Sequence, residues 1–216
     1  MDRATEAARE GNSQYFHGLA EEDLRQLVKK QDDDGRTLLH AAATSGSLQL
    51  VQFLVDHGAA ATVNSADEEG WSPLMSAASA GHEDVVKLLL SLGADLQMAN
   101  NQGRTSLHYA VRGRTCLMTG DAAAAGAGRT DAARVLIEEG RAKVDVRDKQ
   151  GATPLLLAAQ SGAQSTALYL ASRGADVEAE DKEGDTPLGA AASHGKLREA
   201  LVAVATGELD ISDALQ

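Results

Sequence analysis

The chain has 216 residues and a formal net charge of −12, from 20 Lys and Arg against 32 Asp and Glu. That balance argues against a nucleic-acid backbone as partner and for a protein surface with basic residues, the alternative being an acidic surface that serves only solubility. Aromatics are 3% of the residues, so the core is expected to be built from Ala, Leu and Val.

Residues 1–31 begin MDRATEAAREGN, with acidic groups and no apolar leader, and no later stretch approaches the run of about 18 apolar residues that a membrane helix needs. Cys116 is the only cysteine, which leaves no disulfide framework and no thiolate-rich metal site. A cytoplasmic and nuclear location without membrane contact is the expectation. ATEAAREGN ends at Gly11-Asn12 as a short helix would, and EEDLRQLVKK has helical spacing at Leu24, Leu27 and Val28. With Glu21, Glu22, Asp23, Arg25, Lys29 and Lys30 on its outside, this stretch reads as the N-terminal cap of a repeat array.

Five repeats follow, at 32–66, 67–99, 100–147, 148–180 and 181–216, the last serving as the C-terminal cap. They open on Asp32, Asp67, Asn100, Asp148 and Asp181, side chains that bond the backbone of their own turn. A Gly follows, then a hydroxyl residue two positions later, at Thr37, Ser72, Thr105, Thr153 and Thr186, in steps of 35, 33, 48 and 33 residues. The hydroxyl suits a helix N-cap. Pro73, Pro154 and Pro187, the only prolines, stand immediately after it, where a helix tolerates a missing N–H, and Leu38 and Ser106 fill the other two places.

Each first helix carries paired alanines, as at Ala41-Ala42, Ala77-Ala78, Ala158-Ala159 and Ala191-Ala192, and is expected to stop at Gly46, Gly81, Gly162 or Gly195. Each second helix, LQLVQFLVD, DVVKLLLSL, AARVLIEE or STALYLASR, has one apolar stripe. No unit covers its own stripe, so the units must stack. His40 and His108 are placed to bond a nearby turn hydroxyl or backbone group. They lack a Cys or second His at ligand spacing, so no metal and no cofactor is expected.

The third repeat departs from the period. Between Ala110 and Asp131 lies VRGRTCLMTGDAAAAGAGRT, about 14 residues longer than its neighbours, with Arg114 where a helix-stopping Gly belongs. Its centre has no apolar periodicity, so an inserted mobile loop is expected over about 113–130, with CLM free to dock on the solenoid edge.

The Thr/Ser-Pro-Leu-His step, Ala-rich helix, Gly, Leu/Val helix and Gly-Ala exit resemble the ankyrin repeat, whose period is about 33 residues. The resemblance implies an all-α solenoid of helix-turn-helix units with β-hairpin fingers, about six repeats including both caps. No nucleophile elbow, phosphate loop, HExxH, CxxC or dinucleotide fingerprint occurs, so a non-catalytic protein is expected. Function then falls to the concave face built from finger tips and inner helices. The candidate protein-binding residues are Asp33, Asp34 and Arg36; Glu68, Glu69 and Trp71; Gln102 and Arg104; Lys149; and Asp185, with Gln150, Lys182 and Glu183 beside the last two. Trp71, the only tryptophan, is flanked by carboxylates as a binding hot spot would be, or else lies flat on the next finger.

The runs DEEGWSPLMSAASAGHEDVVKLLLSLGAD, NNQGRTSLHYA and GADVEAEDKEGDTPLGAA are similar to repeats of the gankyrin family of proteasome regulatory-particle subunits and assembly chaperones, in particular its plant-type members. That resemblance implies a monomer that holds the C-terminal domain of one regulatory-particle ATPase in its concave face, with Asp34, Arg36, Glu68 and Trp71 at matching finger positions. The family has seven repeats where six are counted here, and its members lack the insertion. The other reading that the residues leave open is an ankyrin-repeat regulator or adaptor of a kinase or transcription factor.

Overall fold

The computed structural model describes residues 3–111, 122–194 and 196–208. Among them are two parallel rows of helices. The first row is α1 (Arg3–Arg9), α4 (Leu38–Ser45), α6 (Pro73–Ala80), α8 (Ser106–Val111), α10 (Pro154–Gln160) and α12 (Pro187–Ala191), each packed on the next. Behind it stand α5 (Leu48–Asp56), α7 (Glu83–Ser91), α9 (Ala122–Glu138), α11 (Gln164–Ser172) and α13 (Lys196–Thr206). The cap adds α2 (Ser13–His17) and α3 (Glu21–Leu27).

The first helices start as their hydroxyl residues require. Ser72 Oγ, Thr153 Oγ1 and Thr186 Oγ1 accept from the backbone N–H three residues on, at 3.3, 3.2 and 3.0 Å. Each such cap stabilises its helix by about 1 kcal/mol. Pro73, Pro154 and Pro187 hold the first helical turn. At the other end Gly46 has φ +74°, and a Cβ there would lie 2.4 Å from the His82 ring of the next repeat. His82 Nε2 in turn donates to the Thr44 carbonyl at 3.0 Å. The third repeat makes the same reach with another residue: Arg129 Nε donates to the Ser79 carbonyl at 3.3 Å.

The core lies between the rows. Ala42, Ala77, Ala78, Ala158 and Ala159 are fully buried, and their small side chains let neighbouring first helices approach closely. From the second row come Leu50, Val51 and Leu54, then Val85, Val86 and Leu89, then Ala132, Ala133 and Leu136, then Ala167, Leu168 and Ala171. The same three positions on one face of each helix recur, and each buried Leu or Val contributes roughly 1.5–3 kcal/mol.

Two expectations change. The fingers are tight turns rather than β-hairpins: no strand occurs among the described residues, and Gln31–Thr37 is an isolated bridge. The reason is local, because the opening Asp or Asn takes two of the N–H groups that a strand ladder would use. In the cap, EEDLRQLVKK is helical as its spacing predicts and buries Leu24 and Val28, while α2 occupies the second-helix place and carries the buried Phe16.

The inserted loop expected over 113–130 is also corrected. Residues 122–130 are helical and continuous with the second helix, giving α9 its 17 residues. Alanine has the highest helix propensity, and a run of it continues a helix without any apolar stripe. Arg129 and Thr130 are 8% exposed, Thr130 Oγ1 lying 2.7 Å from Thr166 Oγ1 of the next repeat. Arg114, Cys116 and the rest of the CLM stretch lie outside the described residues, as does Gly195.

Candidate functional site

Each finger is held from inside by its opening residue. Asp32 Oδ1 accepts from the N–H groups of Asp34 and Arg36, at 3.1 and 2.8 Å. Asp67 does the same for Glu69 and Trp71, Asn100 for Gln102 and Arg104, Asp148 for Gln150 and Ala152, and Asp181 for Glu183 and Asp185. The carboxylates chosen as turn formers therefore point inward. The residues between them point out.

Neighbouring fingers are then joined. The N–H groups of Glu68, Asn101, Lys149 and Lys182 donate to the carbonyls of Asp34, Glu69, Gln102 and Gln150, each at 2.9 Å. Side chains reinforce these junctions, the last through Arg147, whose guanidinium donates to the carbonyls of Gly151 and Glu180. Arg36 Nε donates to Asp67 Oδ2 at 3.1 Å, and Arg104 Nε to Asp148 Oδ2 at 2.9 Å. Between them, Trp71 stacks on Tyr109 with ring centroids 4.1 Å apart, and the Asn100 amide donates to the Tyr109 hydroxyl at 2.7 Å. Where the finger residue is Arg, the next repeat opens with Asp. Where it is Trp, the next opens with Asn.

His40 and His108 anchor the fingers to the helices. His40 Nδ1 accepts from the Thr37 backbone N–H at 3.1 Å, so its proton sits on Nε2, which donates to the Trp71 carbonyl at 3.0 Å. His108 repeats this with the Thr105 N–H and the Ala152 carbonyl, at 3.1 and 3.2 Å. Burial holds both imidazoles below their ordinary 6.5, against the opposing pull of the carbonyls they bond and of the nearby Asp67 or Asp148 charge.

The chosen surface residues thus fall into two groups. Asp33, Asp34, Glu68, Glu69, Gln102, Lys149 and Asp185 are exposed on finger tips. Arg36 and Arg104 are engaged in ties between repeats, and the Arg104 side chain is only 15% exposed. Trp71 is half-buried, its ring packed against that of Tyr109. Tyr109 escaped the sequence reading. Its signal is its place one residue after His108, on the finger-facing side of a first helix.

The first two fingers expose Asp33, Asp34, Glu68 and Glu69 with Arg36; the third exposes the neutral Asn101 and Gln102; the last two expose Lys149 and Lys182 with Glu183 and Asp185. Among the described residues no helix is long and apolar enough to cross a membrane.

A family model described as ankyrin repeats (3 copies) matches residues 5–100, 64–119 and 112–181. No curated protein matches the chain. The matched residues end where the last finger begins, yet α12 and α13 continue the two rows in the same form.

Proposed function

We propose, from the premise that the chain belongs to the ankyrin-repeat family, that its finger row binds a protein partner carrying a basic surface. The observation that carries this reading is the placing of four exposed carboxylates, Asp33, Asp34, Glu68 and Glu69, on the tips of the first two fingers, the second of which also carries the half-buried Trp71. Acidic tips speed encounter with a basic partner and make it sensitive to salt, while a half-buried Trp supplies desolvated contact area. The fingers are stitched by backbone hydrogen bonds, so little ordering cost attends binding.

The partner proposed is the C-terminal domain of a proteasomal regulatory-particle ATPase, and the role that of an assembly chaperone acting as a monomer in cytoplasm and nucleus. Support for this comes from the gankyrin-like wording of the second, third and last repeats, with Asp34, Arg36, Glu68 and Trp71 at the matching finger positions. Arg36 serves the partner through the part of its side chain not occupied by Asp67.

Affinity purification of the tagged chain from its own cells, at low and moderate salt, tests both levels. Recovery of one regulatory-particle ATPase that falls as salt rises supports the chaperone role. Recovery of kinases or transcription factors, with no ATPase, overturns that role and leaves the acidic fingers as a docking row for another partner.

A further inference from the structure

Each finger recognises the one before it through two groups. One is the backbone N–H just after the opening Asp or Asn, which in four junctions donates to the carbonyl preceding the neighbour's glycine. The other is Oδ2 of the opening aspartate, which in two junctions accepts from the arginine just after that glycine, Arg36 onto Asp67 and Arg104 onto Asp148. The first finger presents both groups with nothing before it among the described residues. Asp33 N–H has no acceptor there, and Asp32 uses Oδ1 for its own turn while Oδ2 meets no donor. Asp32 and Asp33 line a cavity of about 340 Å³, whose other walls include Thr5 and Arg9 of α1, Leu27 at the end of α3 and Lys30 beyond it.

We propose that this open edge is a docking site for a turn of a partner protein that carries a Gly-Arg pair. The carbonyl before the glycine accepts from Asp33 N–H, and the guanidinium donates to Asp32 Oδ2. The occupant follows from continuity with the junctions already formed inside the molecule, and from charge. Lys30 on the cavity wall favours an acidic residue before the partner's glycine, as in the chain's own Asp34-Gly35-Arg36. A second copy of this chain is a poor occupant. Its last finger reads Glu183-Gly184-Asp185, which sets a carboxylate against Asp32 where an arginine is required. The site shares Asp33 and Asp34 with the proposed finger surface and differs from it in that Glu68, Glu69 and Trp71 take no part.

The test titrates a backbone-cyclised peptide with the turn Asp-Asp-Gly-Arg-Thr into the isotope-labelled full chain, following backbone amide resonances. Saturable shifts at Asp33 and Asp34 are expected. Replacing the peptide's arginine by alanine weakens binding about tenfold, and Asp32→Asn in the protein does the same. Asp32→Asn keeps the inner turn, because Asn100 forms that turn in the third finger, so its fold is retained. Asp33→Pro, which removes the N–H at a turn position that favours proline, is the second variant and also loses binding. Absence of a saturable shift at millimolar peptide overturns the proposal, as do shifts centred on the second and third fingers or equal affinity for Asp32→Asn. Self-association of the chain that perturbs Asp33 overturns the choice of occupant. Glu68→Lys leaves this titration unchanged, which separates its failure from that of the Trp71 surface.

Discussion

Arg104 Nε lies 2.9 Å from Asp148 Oδ2, and Arg36 Nε 3.1 Å from Asp67 Oδ2: one junction, built twice, across 44 and 31 residues of chain. The insertion in the third repeat changes the length of chain between the partners and leaves the contact intact. Surface loops lengthen at small entropic cost, whereas a finger-to-finger register has one geometry.

The two arginines differ in exposure, 15% for the Arg104 side chain and 42% for Arg36, while both aspartates are almost fully buried. Arg104→Ala strands the Asp148 carboxylate and is expected to cost about 2–3 kcal/mol. Arg36→Ala opens Asp67 to water and costs about 1 kcal/mol or less. Urea unfolding of the two variants checks the order, and equal losses would show that exposure does not govern it.

Ser106 occupies the first helical position that three other repeats give to proline, and its hydroxyl is buried with no hydrogen-bond partner. Ser106→Ala is expected to raise stability by about 1 kcal/mol, by removing a buried group left unpaired. Thermal unfolding decides it, and a lowered Tm would show that the hydroxyl contributes.

The two buried histidines give the fold a pH dependence. Their folded-state values lie below 6.5, so below that pH the unfolded chain binds more protons than the folded one. Stability is therefore complete above pH 6.5 and falls as the pH drops through the window beneath it. Unfolding curves at pH 7.5, 6.5 and 5.5 should show this slope, and the double variant His40→Gln, His108→Gln should lose most of it. An unchanged slope would assign it to other groups.

At the exposed tips, charge is separable from folding. Glu68→Lys reverses one of four carboxylates near Trp71 and meets no internal tie, since only its backbone is engaged. Affinity for the basic partner should fall several-fold at low salt, with stability within about 0.5 kcal/mol of the parent. Unaltered affinity would remove the second finger from the binding surface.

Much of this was legible in the chain. Opening Asp, hydroxyl cap, Pro and helix-stopping Gly act within a few residues, and the structure places each where its local chemistry requires. The inward role of Asp32 and its equivalents could be read because an Asx turn closes on its own backbone. Arg36 and Arg104 could be read only as polar finger residues, because their partners lie a whole repeat away. Tyr109 was missed for the same reason, and residues 122–130 because alanine forms a helix without leaving an apolar period.

By itself the sequence determined the repeat unit, its five-fold recurrence and the exposed charge on each tip, since these follow from short-range rules of turn, cap and stripe. Only the tertiary structure decided which polar residues remain available. Stacking the units brings each finger against the next, and that contact ties two arginines to the aspartates of the following repeat, packs Trp71 on Tyr109, and leaves the first finger with a donor and an acceptor that no neighbour among the described residues meets.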